Sequence, residues 1–303
     1  MTGLTAGGSS LVWVDRAGKE LETLGEPAGY RDLALSPDGT RLAYGLADPR
    51  AGSEDIWIRD LKRGVASRFT FGVGLELWPV WSPDGSQLAY ATDASGTIDM
   101  YVKAANGAGA ERKLVSDPGG PVGPASWSRD GRWIATLFLP ATRRLNIKMF
   151  PLQGDGKLVD YLVTDNVFGC PTFSPDGRYV AYFSSESGTR EVYVQTLPIG
   201  GGKWQISSGG GDSAAWRADG KELFYKTLAD DFVSLPVTTG ARFEPGQSKT
   251  LFKRTVDKTS GAAVNTRWVV SADGQKFLLN AAKDARGNPF SIVLNWPETL
   301  PRR

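Results

Sequence analysis

The tetrapeptide Ser-Pro-Asp-Gly and its near copies recur as 36-SPDG-39, 82-SPDG-85, 128-SRDG-131, 174-SPDG-177, 217-RADG-220 and 271-SADG-274. Their glycines stand 46, 46, 46, 43 and 54 residues apart. A period in that range restricts the chain to an array of one repeated unit, a propeller or a solenoid. The residues around each turn decide between them. A bulky side chain precedes each copy (Leu35, Trp81, Trp127, Phe173, Trp216, Val270), and an apolar one comes three residues after its glycine (Leu42, Leu88, Ile134, Val180, Leu223, Phe277). Short runs that are apolar on both faces suit strands buried between packed sheets.

A third strand follows each pair, at 55-DIWIRDL-61, 99-DMYVKA-104, 145-LNIKMFPL-152, 191-EVYVQTL-197, 232-FVSLPV-237 and 291-SIVLNW-296. Weaker fourth strands follow at 67-SRFTF-71, 112-RKLV-115, 159-VDYLV-163, 203-KWQI-206 and 249-KTLF-252. Four antiparallel strands per repeat describe a propeller blade. The fold expected is all-β: a propeller of four-stranded blades, six in number, as a single domain over residues 1–303, with 1–9 flexible and the repeats spanning 30–296. The hairpin within 10–25 reads as the closing piece, pairing with C-terminal strands so that no sheet edge is left open. Because the C-terminal unit already carries three strands, a seven-bladed ring shortened at its N-terminus is the alternative.

Every part of the repeated turn has a structural use. Proline presets φ at the second position, glycine takes the left-handed position, and Ser and Asp side chains can bond nearby backbone N–H groups. Ser82 and Asp84 therefore read as scaffold, and the preceding Trp81 as packing between blades. The acids that open third strands (Asp55, Asp99, Glu191) read as strand caps rather than metal ligands.

Composition narrows the function. There is no histidine and a single cysteine, Cys170, which excludes His-dependent triads, His-ligated zinc and an intramolecular disulfide. A net charge of +2 with no Lys/Arg run offers no field for nucleic acid. No apolar run reaches 18 residues, and the N-terminus shows no signal peptide. No cofactor or metal is expected, and a monomer is.

The repeats WSPDGSQLAYATDASGTIDMYV and FSPDGRYVAYFSSESGTREVYV resemble the TolB-type, WD40-like β-propeller repeats, over about residues 30–296. More narrowly, LVWVDRAGKELETLGEPAGYRDLALSPDG, GGKWQISSGGGDSAAWRADGKELFY and IVLNWPETL look like propeller regions that follow bacterial serine/threonine kinase domains, notably in acidobacteria. The chain itself shows no kinase motif. What the resemblance implies is a periplasmic or otherwise extracytoplasmic sensor or protein-interaction module.

Ligands of propellers meet several blades at one end of the central channel. The segments leading into the first strands gather Tyr30, Arg31, Asp32, Glu76, Trp78, Phe168, Asp212, Asn265 and Arg267. Mixed charge with aromatics suits a protein or peptide partner, or a small polar ligand, and the reading is a non-catalytic binding propeller. The alternative is a propeller hydrolase or lyase that uses Glu76, Asp32 and Asp212 around a divalent cation. Three carboxylates meeting at one point would favour that enzyme; charges spread and paired along the channel would favour binding.

Overall fold

Each Asp-Gly turn joins the first two strands of an antiparallel sheet, and in the computed structural model of the chain six such sheets form the blades of a ring. The structure describes residues 8–48, 50–140, 145–240, 242–257 and 267–282. Blade 1 comprises Tyr30–Leu35, Arg41–Asp48, Ser53–Asp60 and Ala66–Arg68; blade 2 comprises Glu76–Trp81, Gln87–Thr92, Asp99–Ala104 and Arg112–Val115. Blade 3 is built from Val122–Trp127, Trp133–Phe138, Asn146–Pro151 and Val159–Leu162, and blade 4 from Phe168–Phe173, Tyr179–Ser184, Glu191–Thr196 and Lys203–Gln205. Blade 5 has Ser213–Trp216, Glu222–Lys226, Asp231–Thr239 and Lys249–Lys253, with an additional short strand, Phe243–Pro245, paired to the end of its third.

Blade 6 closes the ring. Its strands run in the order Trp268–Val270, Lys276–Ala281, Ser9–Asp15 and Glu20–Ala28. The N-terminal hairpin thus supplies both the third and the fourth strand. Six residue pairs, from Ser10↔Ala281 to Asp15↔Lys276, seal the junction, and each ladder hydrogen bond contributes roughly 1 kcal/mol net. Arg16 locks the hairpin onto blade 5 through Glu222, at 2.7 Å. This corrects the strand count behind the seven-bladed alternative: the third place of blade 6, expected for 291–296, is held by Ser9–Asp15, and 291–296 lies outside the described residues.

The turn is a side-chain clasp. In blade 2 the Ser82 hydroxyl donates to Asp84 at 2.6 Å and accepts from the Gln87 N–H at 2.9 Å, while Gly85 N–H donates to the Ser82 carbonyl at 2.8 Å. Gly85 sits at φ +68°, where a Cβ would be strained. The same clasp recurs at Ser36, Ser128, Ser174 and Ser271. In blade 5 Arg217 replaces the serine and reaches Asp219 through its guanidinium, at 2.7 Å.

Blades pack through apolar faces, and two of the three pre-turn tryptophans also bond across them, whereas the Trp127 indole nitrogen is buried without a partner. Trp81 Nε1 donates to the Ala34 carbonyl of blade 1 at 2.9 Å, and Trp216 Nε1 to the Thr172 carbonyl of blade 4 at 3.2 Å. An indole that buries its ring and satisfies its N–H in this way carries no desolvation cost. The strand-opening acids do the same for the outer strands. Asp55 pairs with Arg68 at 2.6 Å and Asp99 with Lys113 at 2.7 Å; Glu191 holds Ser207 and the Gly210 N–H.

Candidate functional site: the channel and its upper mouth

The first strands face the axis, and a repeated irregularity shapes how they do so. The position three residues before each bulky pre-turn residue is Asp32, Trp78, Pro124, Cys170, Ser213 and Arg267 in blades 1 to 6. Asp32, Trp78 and Cys170 all have left-handed backbones, at φ +47°, +57° and +49°. At each of them the pairing with the second strand skips, between Arg31 and Ala34, Leu77 and Val80, and Gly169 and Thr172. Such bulges re-aim a side chain. A left-handed non-glycine residue costs about 1–3 kcal/mol, and such residues cluster at functional sites.

Two of the re-aimed residues touch across the boundary between blades 1 and 2. Trp78 N–H donates to Asp32 Oδ2 at 3.3 Å. The Trp78 ring lies against blade 3 so closely that a Cβ on Gly123 would come within 2.1 Å of it. Its indole nitrogen is buried without a hydrogen-bond partner. Across the channel, Asp212, Arg190, Arg267 and Asp32 are all within electrostatic reach of Cys170. That thiol is pushed up to about 12, foremost by burial, so it is an inert apolar lining group rather than a nucleophile.

Acids and bases are paired at this mouth. Arg31 pairs with Glu54 at 3.2 Å. Burial first, then the charge of Asp32, pushes the Glu54 carboxyl up to about 8, against the pull of Arg31 and Arg267. Asp212 accepts from Ser213 Oγ at 2.9 Å and pairs with the buried Lys226 at 3.4 Å. Arg267 Nη1 donates to the Asp257 carbonyl at 3.0 Å. Glu76 stands further back, bonded to Thr70 and Asp55, and its carboxyl is raised to about 7, mainly by burial. Glu76, Asp32 and Asp212 do not converge, and among the described residues no group of three or more His, Cys, Asp or Glu is arranged to hold a metal ion.

Two expected mouth residues pack into the apolar cores of the blades. Tyr30 is 7% exposed, packs edge-on against Tyr44 at 5.4 Å and donates its hydroxyl to the Glu26 carbonyl at 2.7 Å. Phe168 is 1% exposed and meets Tyr182 edge-on at 6.0 Å. Asn265 lies outside the described residues. The sequence reading missed Glu54, Arg190 and Lys226. Glu54 had a signal, since it precedes the strand-opening Asp55; Lys226 ends a second strand and Arg190 immediately precedes a third, positions that the repeat pattern does not orient.

Below the mouth the channel turns apolar. A cavity of about 410 Å³ extends from Cys170 to the Asp-Gly turns, lined among others by Val80, Val269, Ala34 and the turn prolines Pro37, Pro83 and Pro175. In blade 3 Arg129 stands where those prolines do. Its guanidinium spans the lower opening past the blade-4 turn and donates to the Ala218 carbonyl of blade 5 at 2.8 Å. The turn prolines therefore line the channel as well as preset φ.

Comparison with known proteins agrees with this architecture. The profile of the TolB beta propeller domain matches residues 17–158. An uncharacterized protein of Agrobacterium fabrum is 28% identical over 209 residues, which cover 64% of this chain and 68% of that protein. A TolB homolog of Chlorobium luteolum is 26% identical over 60% of this chain, and the match spans only 41% of that protein's length. Among solved structures, a putative TolB from Agrobacterium tumefaciens superposes with a TM-score of 0.71 at 18% identity, covering 90% of this chain and 98% of that one; at that identity the likeness shows the fold alone.

Proposed function

We propose that this TolB-like propeller is a non-catalytic binding module that receives a partner's peptide segment, or a small polar ligand, at the upper mouth of its channel. The observation that carries the reading is the ring of strained residues. Asp32, Trp78 and Cys170 hold left-handed backbones at one equivalent position in three blades. The fold does not require this conformation, since Pro124 and Ser213 occupy the same position without it.

The surroundings support a proteinaceous partner. The loop leading into the first strand of blade 2 presents Phe71 and Val73, which are 70% and 86% exposed. Apolar tips beside a charged mouth are common in recognition surfaces. Spread and individually paired charges supply orientation rather than a single reacting centre. The kinase-linked resemblance extends the proposal: the propeller senses its ligand outside the cytoplasm for a serine/threonine kinase. Genomic sequence ahead of Met1 tests that extension, and an in-frame stop there would remove it.

The site itself is tested by partner capture from the source organism's extract, quantified for wild type, Trp78→Ala and Arg267→Ala with folding checked by circular dichroism. Both variants are expected to lose capture by about tenfold or more, the usual scale for an aromatic or arginine anchor. Unchanged capture would remove this mouth as the site.

A further inference from the structure

The strand Phe243–Pro245 is an addition that only blade 5 carries among the described blades, and its role in the fold points to an unfilled site elsewhere. Phe243 is 2% exposed and fills the groove between blades 4 and 5. There its ring meets Trp204 at 5.1 Å, Tyr179 at 5.4 Å and Trp216 at 6.2 Å. Arg178 clamps the same hairpin by donating to the carbonyls of Thr239 and Gly240, at 3.3 and 2.6 Å.

The groove one step back around the ring, between blades 3 and 4, is walled from corresponding positions and carries no added strand, although Tyr161 of blade 3 reaches across it to donate to the Thr196 carbonyl of blade 4 at 3.0 Å. Trp133 and Tyr179 each stand two residues after a turn glycine. Val159 faces Met149 as Trp204 faces Val194. Leu197 and Val237 occupy one place, since their N–H groups donate to the carbonyls of Arg178 and Lys221, each just after a turn glycine. Here the space is an open cavity of about 460 Å³ lined by Trp133, Met149, Val159, Tyr161, Leu197 and Ile199, among others. Val159 and Ile199 at its edges are both 49% exposed. Arg132, the counterpart of Arg178, folds back onto Asp130 at 2.5 Å with its side chain 67% exposed.

We infer that the groove between blades 3 and 4 is a second binding site, which takes an aromatic side chain on an extended peptide segment of a partner. The chain's own Phe243 hairpin shows the chemistry the walls accept: one ring between aromatic and aliphatic side chains, and backbone carbonyls offered to an arginine. Arg132 is placed to swing from Asp130 to such carbonyls, as Arg178 does next door. The site is separate from the channel mouth and does not depend on it.

The probe is an end-blocked peptide copying residues 239–247, compared with its Phe243→Ala form by NMR titration of the intact protein. The Phe peptide is expected to shift the Trp133 indole and Met149 methyl signals saturably with one equivalent bound, and the Ala form to bind about tenfold to a hundredfold more weakly, the worth of one buried aromatic side chain. Val159→Asp and Ile199→Asp alter half-exposed rims, so the fold tolerates them, and each is expected to abolish the shifts. In the Phe243→Ala protein, which empties the groove between blades 4 and 5, a second equivalent is expected. Equal shifts from both peptides, shifts mapping to the channel, or none at millimolar concentration would overturn the proposal.

Discussion

The Trp78 N–H reaches the Asp32 carboxylate across the boundary between blades 1 and 2, at 3.3 Å, and both residues have left-handed backbones. The bond joins two strained positions, so each helps to hold the other in place. Asp32→Ala removes the acceptor of a partly buried N–H and is expected to destabilise the ring by about 1–3 kcal/mol. Asp32→Asn keeps an acceptor and is expected to lose less. Chemical denaturation of the pair checks the ordering, and equal losses would show that the charge rather than the bond matters.

Two carboxyls at this end titrate far above their ordinary value of 4.5: Glu54 at about 8 and Glu76 at about 7, both chiefly through burial. The folded protein therefore holds protons that the unfolded chain releases. Their contribution to stability is fully present below about pH 4.5 and is lost as pH rises through 7 to 8. The melting temperature is expected to fall as pH is raised from 5 to 8. Glu54→Gln and Glu76→Gln, neutral at every pH, are expected to flatten that slope and to be the more stable proteins at pH 8. A slope unchanged by both substitutions would contradict this.

Ring closure depends on the N-terminal hairpin occupying the third and fourth places of blade 6. Val14, fully buried opposite Phe277, lies at that seal. Val14→Ala is expected to cost about 2 kcal/mol, against less than about 0.5 kcal/mol for Leu21→Ala on the outermost strand, where the side chain is 46% exposed. Urea denaturation of the two variants gives the comparison.

The turn clasp is structural. Ser82→Ala removes the donor to Asp84 and the acceptor of the Gln87 N–H, and is expected to cost about 1–2 kcal/mol while leaving partner capture unchanged. A loss of capture at full stability would instead place the turn in the site.

The ring was legible because its signal is repeated: six Asp-Gly turns with apolar residues at fixed offsets on either side. The channel was legible only in part. Residues leading into a first strand can face the axis or the neighbouring blade, and the bulge that decides this leaves no mark in the residue types; Asp32, Trp78 and Cys170 share a backbone and no chemistry. Tyr30 and Phe168 stand two positions before these residues and turn into the apolar cores of the blades. The closing blade was misassigned in one strand because 291–296 has the pattern of a third strand, while the pairing partner of Lys276–Ala281 comes from the opposite end of the chain. Glu54 escaped notice because its neighbour Asp55 carried the repeat pattern, and its interest lies in its burial beside Asp32.

The central claim is that a partner docks at the upper mouth. Site-specific photo-cross-linking tests it most directly, with a photoreactive phenylalanine analogue placed at Trp78 or, as control, at Val65, which is 64% exposed in the loop between the outer strands of blade 1 on the Asp-Gly-turn face. The account expects one partner to cross-link from position 78 and none from position 65. Cross-linking from position 65 alone, or with equal yield from both, would contradict it.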